Sequence, residues 1–287
     1  MTSICIGITS FNSLPYLQSS ILRIRDASEG LKVSVIIQDN ASIDGTASWL
    51  PGEYLKMATE NVKLYYSAHS FNPYPSYGCA RSIDFFLTQT DCLYFFHLDP
   101  DALLMTSDAL TDLITQIESD TSIGALGEKR HALRFQHPKS RSLKLFDRYI
   151  FSGEWLSDLS NGLAYKKPLY PSSPDVLLER HPSEDYFVYN ELCGNVMFFK
   201  RKVIEEIGNV NARKFKMWRW DSEYSMRCLL YGYEIEKANV INEKVFHFGG
   251  RSRNKNTDLN AYIKQCASDL KVQESDIRSL LEQWSSD

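Results

Sequence analysis

Between Leu93 and Leu104 the chain reads Leu-Tyr-Phe-Phe-His-Leu-Asp-Pro-Asp-Ala-Leu-Leu, a short apolar run that ends in two carboxylates. Large β-forming side chains on consecutive positions specify a strand covered on both faces, and the run is too short to span a membrane. His97, inside it, reads as core or as support behind the acids. In an open parallel sheet ligands gather outside the carboxyl ends of the strands, where the chain leaves the core and can present polar groups together. Asp99 and Asp101 stand at such an end. Pro100 favours an extended residue before it and has no N–H to satisfy, so the two acids, at i and i+2, are expected on one side. Like charges held that close repel unless a cation lies between them. Hard carboxylate oxygens select Mg²⁺ or Mn²⁺, often shared with substrate phosphates. An isolated Asp-Pro-Asp is more often a plain solvated turn, so the rest of the chain has to decide.

The elements around this run alternate. Ser3 to Thr9 is a strand ending at Ser10-Phe11-Asn12; Leu14 to Ile24 has helical spacing behind a capping Asn12-Ser13. Val33 to Ile37 is a second strand, followed by Gln38-Asp39-Asn40-Ala41-Ser42-Ile43-Asp44-Gly45-Thr46, where Asp44-Gly45 marks a turn and Thr46 opens a helix. Val62 to Tyr66 is a third strand. Gly78-Cys79-Ala80-Arg81 then starts a helix whose first-turn arginine suits a phosphate. Strand, helix, strand in this order gives parallel neighbours with right-handed crossovers.

Further on, a helix from about Ser107 to Ile117, a strand at Ile123 to Gly127, a strand at Glu191 to Phe199 and a helix from Arg201 to Ile207 are expected. The pattern breaks up from Lys129 to Glu191, first basic, then dense in Pro, Tyr and Trp. That content argues against disorder and suits either a variable region that faces the second substrate or a plain surface excursion. Trp218 and Trp220 precede a helix over Tyr224 to Tyr231. Ile235, Val240 and Ile241 suggest a strand, Val245 to Ser252 a glycine-ended loop, and Asp258 to Trp284 terminal helices.

A chain of 287 residues, 43% hydrophobic and 24% charged, can bury a large α/β core, and a net charge of −4 argues against nucleic acid as partner. Cys5, Cys79, Cys92, Cys193, Cys228 and Cys266 contain no Cys-x-x-Cys pair. Zinc and redox motifs are thereby disfavoured, and cysteines in apolar runs point to reduced thiols in a cytoplasmic protein. No long apolar segment is present, so membrane contact is expected to be peripheral at most, at the inner face.

Five motifs in one order carry a resemblance: Asp39 to Thr46 after a strand, Gly78 to Arg81, Asp99-Pro100-Asp101, Trp220-Asp221-Ser222-Glu223 before a helix, and His247-Phe248-Gly249-Gly250-Arg251-Ser252. Together they resemble glycosyltransferase family 2, in its rhamnosyltransferase-like form, over residues 3–252. The resemblance implies a GT-A type α/β fold: a mainly parallel central sheet flanked by helices, with a nucleotide-sugar-binding half at 1–104, an acceptor-binding half at 105–252 and a C-terminal helical extension at 253–287. It also implies an inverting transfer from a nucleoside diphosphate sugar to a hydroxyl of a glycan or lipid-linked glycan. Asp39 would hold the nucleotide, with Thr9 and Asn12 on the other side of the base, while Asp44 shapes its turn. Arg81 would lie near the diphosphate. Asp101, with Asp99 directly or through water, would hold Mn²⁺ or Mg²⁺, and His247 would stand close to that metal. Asp221 would be the general base, with Glu223 the runner-up and Trp220 standing where the family commonly has an acid. The terminal helices would either pair with a second subunit or cover the acceptor cleft. A nucleotidyltransferase and a non-catalytic sugar- or nucleotide-binding protein are the rival readings.

Overall fold

A computed structural model describes residues 2–57, 61–136, 179–180, 186–212, 215, 220–248, 264 and 273–282. Its strands are β1 (Ser3–Ser10), β2 (Lys32–Asp39), β3 (Val62–Ala68), β4 (Tyr94–Leu98), β5 (Ala102–Leu104), β6 (Ile123–Gln136), β7 (Glu179–Arg180), β8 (Tyr186–Lys200), β9 (Glu234–Lys237) and β10 (Val245–His247). The helices are α1 (Leu14–Asp26), α2 (Thr46–Met57), α3 (Pro75–Gln89), α4 (Ala109–Glu118), α5 (Arg201–Ile207), α6 (Trp220–Leu230), α7 (Asn239–Lys244) and α8 (Glu274–Glu282).

Seven strands form the central sheet in the order β3-β2-β1-β4-β8-β6-β9, and the two-residue β7 pairs with β8. Only β8 runs against the other six. The mainly parallel α/β sheet expected from the alternation is therefore present. Its consecutive apolar strands are explained by cover on both faces. Ile4, Ile6, Ile8, Phe96 and Leu98 pack on one side with Leu17, Ile21 and Leu110, while Cys5, Phe95, Ile83, Phe86 and Tyr224 pack on the other. β1 lies between β2 and β4, so the strand order reverses beside it. A crevice at the carboxyl end of such a switch point is the standard ligand position in open α/β sheets.

Several expectations change in detail. Residues 129–136 and 186–191 are not irregular: β6 and β8 continue there as an antiparallel pair. Register shifts between Gly127 and Lys129 and between Arg130 and Leu133 interrupt the pairing, and such bulges erase the period-two signal in the sequence. The intervening 137–178 and 181–185, with most of the region expected to face a partner, lie outside the described residues, as do Trp218, Cys266 and 249–252. Val240 and Ile241 belong to α7 rather than a strand, and Val245–His247 is a strand rather than a loop. α6 begins at Trp220, four residues before the expected start, so Asp221 and Glu223 sit in its first turn. Within the expected C-terminal extension, Glu274–Glu282 is helical.

Gly7 on β1 shows how tightly the layer under the switch point is packed. A Cβ there would meet the Phe95 ring and Ser82 Cβ, each at 2.8 Å. Gly7→Ala is expected to cost about 1–3 kcal/mol through overpacking. The measurement is urea denaturation, with a lower midpoint at an unchanged slope.

Candidate metal and catalytic centre

Asp99, Pro100, Asp101 and Ala102 form a β-turn closed by the Ala102 N–H donating to the Asp99 carbonyl at 3.0 Å, with proline at its second position. The acids converge through this turn, not through the extended segment that Pro100 suggested. β5 follows at once and pairs antiparallel with β10, His247 opposite Ala102, and the Phe248 N–H donates to the Asp101 carbonyl at 3.0 Å. This two-stranded ribbon carries His247 to the turn. Its Nε2 lies 3.3 Å from Asp101 Oδ1 and 3.8 Å from Asp99 Oδ2. One ligand atom from each of Asp99, Asp101 and His247 falls within 4.8 Å of the others, a set that can hold a divalent cation. Burial opposes a charge on His247, but Asp101, Asp99 and Glu128 together raise its pKa above the ordinary value.

The antiparallel strand β8 links this cluster to Asp221. The Asp99 N–H donates to the Asn195 carbonyl at 2.8 Å, and one residue earlier the Gly194 N–H donates to Asp221 Oδ2 at 3.0 Å. One residue of strand and two hydrogen bonds thus separate Asp221 from the turn, on the order of 10 Å. The Ser222 N–H donates to Asp221 Oδ1 at 3.0 Å, so the carboxylate is held in place at 8% exposure. Gly194 must be glycine here, since a Cβ would meet Trp220 at 2.9 Å and Asp221 at 3.1 Å. Trp220 itself is buried, its ring edge-on to His97 at 5.1 Å, which makes it packing beneath the site.

No family model and no curated protein matches the chain by sequence. Solved structures do match by shape. The mannosyltransferase PcManGT from Pyrobaculum calidifontis, in complex with GDP-Man and Mn²⁺, aligns at a TM-score of 0.52 and 14% identity, over 83% of this chain and 55% of its own. S. aureus TarS aligns at 0.51 and 13% identity over 99% of this chain and 43% of its own. Its 1–349 portion in complex with UDP gives 0.50 and 14% over 99% and 70%. The chain shares the fold of these proteins. It spans about half the length of the first two of these proteins.

Within that fold the other named residues take distinct places. Glu223 cannot serve as base: both it and Arg227 are 0% exposed, joined by Nε–H to Oε1 at 3.0 Å and Nη2–H to Oε2 at 2.6 Å. Arg227 Nη1 also donates to the carbonyls of Ile207 and Asn209, satisfying the end of α5 and pinning α6 to it. His97 is buried with Nε2 3.6 Å from Asp99 Oδ1. Burial disfavours its charge, yet Cys79 and Asp99 beside it raise its pKa.

Asp39 ends β2. Ser10 pairs with Asp39 and Gly7 with His97, so Asp39 closes the same end of the sheet as the Asp99-Pro100-Asp101 turn, two strands away from β4. Its carboxylate accepts from the Ser42 hydroxyl at 2.5 Å and from the Ser42 N–H at 3.4 Å. Asn12 joins that loop, its Oδ1 accepting from the Ile43 N–H at 2.8 Å. The turn role of Asp44 reaches further than its own segment. It accepts from Thr46 at the head of α2 and, at 2.8 Å, from the Leu14 N–H at the head of α1, where Ser13 makes no capping bond. Thr9 lies in β1 against Gly78, which falls inside α3 rather than opening it. Arg81, exposed on α3, lines a cleft of about 450 Å³ with Gln38 of β2 and Tyr65 and Tyr66 of β3, and burial together with its charge lowers the pKa of His69 while Asp39 opposes the shift.

Two participants escaped the motif reading. Asn195 Nδ2 lies 2.8 Å from His247 Nδ1 and donates to Glu128 Oε2 at 3.0 Å. The available signal was Gly194-Asn195 interrupting an otherwise apolar strand, the same kind of break that marks Asp99. Cys5, Cys79, Cys92, Cys193 and Cys228 are buried, and burial pushes the thiols of Cys5 and Cys228 up, away from reactivity. No helix among the described residues is long and apolar enough to cross a membrane.

Proposed function

We propose that the chain is a metal-dependent, inverting glycosyltransferase that moves a sugar from a nucleoside diphosphate sugar to a hydroxyl of a glycan or lipid-linked glycan. The observation that carries this is the Asp99, Asp101 and His247 cluster beside Asp221, at the switch point of a glycosyltransferase fold. Buried polar atoms without a hydrogen-bond partner, Thr9 Oγ1, Asn40 Oδ1, His97 Nδ1 and Asn195 Oδ1, lie at the ends of the same strands or beside the cluster and suit a polar ligand. The complexes of PcManGT with GDP-Man and Mn²⁺ and of TarS 1–349 with UDP support a nucleotide-sugar donor and Mn²⁺ or Mg²⁺ as cofactor.

In this reading residues 1–104 bind the donor and 105–252 the acceptor. Asp99, Asp101 and His247 would hold the divalent ion, which supplies the positive charge that a departing diphosphate needs. Asp39, Thr9, Asn12 and Arg81 form the nucleotide side. Asp221, fixed by two backbone N–H groups, accepts the proton of the attacking hydroxyl. One base and one displacement invert the sugar's anomeric carbon, and a single displacement needs no second protein nucleophile.

A thermal-shift screen of nucleoside diphosphate sugars with Mn²⁺ tests it, since a ligand of the native state raises the melting temperature by mass action. The preferred donor is expected to shift the melting temperature only with the metal present. Product analysis then has to find free nucleoside diphosphate; released pyrophosphate would make the protein a nucleotidyltransferase instead. Donor binding without turnover across an acceptor panel would leave a binding protein.

A further inference from the structure

The hydrogen bonds around His247 are at odds with its use as a ligand, and the conflict has one economical resolution. Glu128, as a carboxylate, only accepts, so it fixes the amino group of Asn195 toward itself at 3.0 Å. The same amino group faces His247 Nδ1 at 2.8 Å, so Nδ1 must accept and the neutral ring carries its proton on Nε2. That protonated edge faces Asp101 Oδ1 at 3.3 Å and Asp99 Oδ2 at 3.8 Å, so it presents positive charge to both carboxylates. A cation needs the Nε2 lone pair. The ring proton then has to sit on Nδ1, which becomes a donor, and an amino group cannot accept from it. The Asn195 carbonyl oxygen can, and it is buried without a hydrogen-bond partner.

We propose that Asn195 is a positioning residue that turns its amide over when a divalent cation binds, so that Oδ1 accepts from His247 Nδ1–H and Nε2 becomes a ligand. The ring loses one proton from Nε2 and gains one on Nδ1, so its charge is unchanged. Glu128, exposed at the surface, gives up its donor and turns to solvent. Metal-bound histidines are commonly oriented by a hydrogen bond from their second nitrogen, and here that bond exists only after the flip. The inference rests on the metal reading above.

The test uses full-length protein labelled with ¹⁵N-histidine, in alkaline buffer where the ring is neutral, with His247→Gln to assign the resonance. Long-range ¹H–¹⁵N spectra are recorded with and without diamagnetic Mg²⁺, whose uptake is followed in parallel by calorimetry. The expected result is protonated Nε2 before Mg²⁺ and protonated Nδ1 after. Asn195→Leu, checked for folding by circular dichroism, is expected to weaken Mg²⁺ binding about 10- to 100-fold. Mg²⁺ uptake with the Nε2–H form retained would overturn this proposal and leave the metal site standing. No Mg²⁺ uptake would overturn both.

Discussion

Asp221→Asn is expected to bind nucleoside diphosphate and Mn²⁺ as the wild type does while transfer falls about 10²- to 10⁴-fold, the range that a positioned general base contributes. The substitution is nearly isosteric. The amide oxygen can keep one of the two bonds from the Gly194 and Ser222 N–H groups, while the amino group gives up the other, so a small loss of stability accompanies the change. What disappears is the capacity to take a proton from the acceptor hydroxyl. Steady-state kinetics with the preferred donor should show the loss in kcat, with little change in donor affinity by calorimetry. Full turnover by this variant would remove Asp221 from its role and leave the donor site untouched.

Glu223→Ala is expected to destabilise the protein by about 3–5 kcal/mol, because it leaves the Arg227 guanidinium buried without its counter-charge. For a chain of this size that lowers the melting temperature by on the order of 10 °C. Arg227 spans α5 and α6 through the carbonyls of Ile207 and Asn209, and Tyr224 adds its hydroxyl to the Gly208 carbonyl at 2.8 Å. Loosening this joint shifts the helix that presents Asp221, so activity should fall at temperatures where the variant is still folded. Replacing both partners together, Glu223→Leu with Arg227→Met, should recover much of the stability, since the uncompensated charge goes with them. A double variant as unstable as Glu223→Ala would place the cost in packing and in the Ile207 and Asn209 carbonyls that lose Arg227, rather than in charge.

The sheet was legible because cover on both faces forces apolar residues onto consecutive positions, and Ile4–Ile8, Val33–Ile37 and Tyr94–Leu98 show that without ambiguity. The acids that follow those strands were legible for the same reason, as abrupt polar breaks. Glu223 and Asp221 were not separable by sequence: both sit in the first turn of α6, and only the fold reveals that one faces Gly194 and the other Arg227. The capping of α1 by Asp44, thirty residues away in the chain, and the bracket of Asn195 and Glu128 around His247 are tertiary events with no local pattern. The bulged pairing of β6 and β8 was hidden because each register shift reverses which residues face which side.

The central claim is that Asp99, Asp101 and His247 hold a divalent ion against a nucleoside diphosphate. Calorimetric titration of UDP and GDP into wild type and Asp101→Ala, each with and without Mn²⁺, addresses it directly. The predicted result is Mn²⁺-dependent binding of one of the two nucleotides by the wild type, weakened at least about 100-fold, or roughly 2.7 kcal/mol, in Asp101→Ala. Binding of equal strength without Mn²⁺, or undiminished in Asp101→Ala, would contradict it.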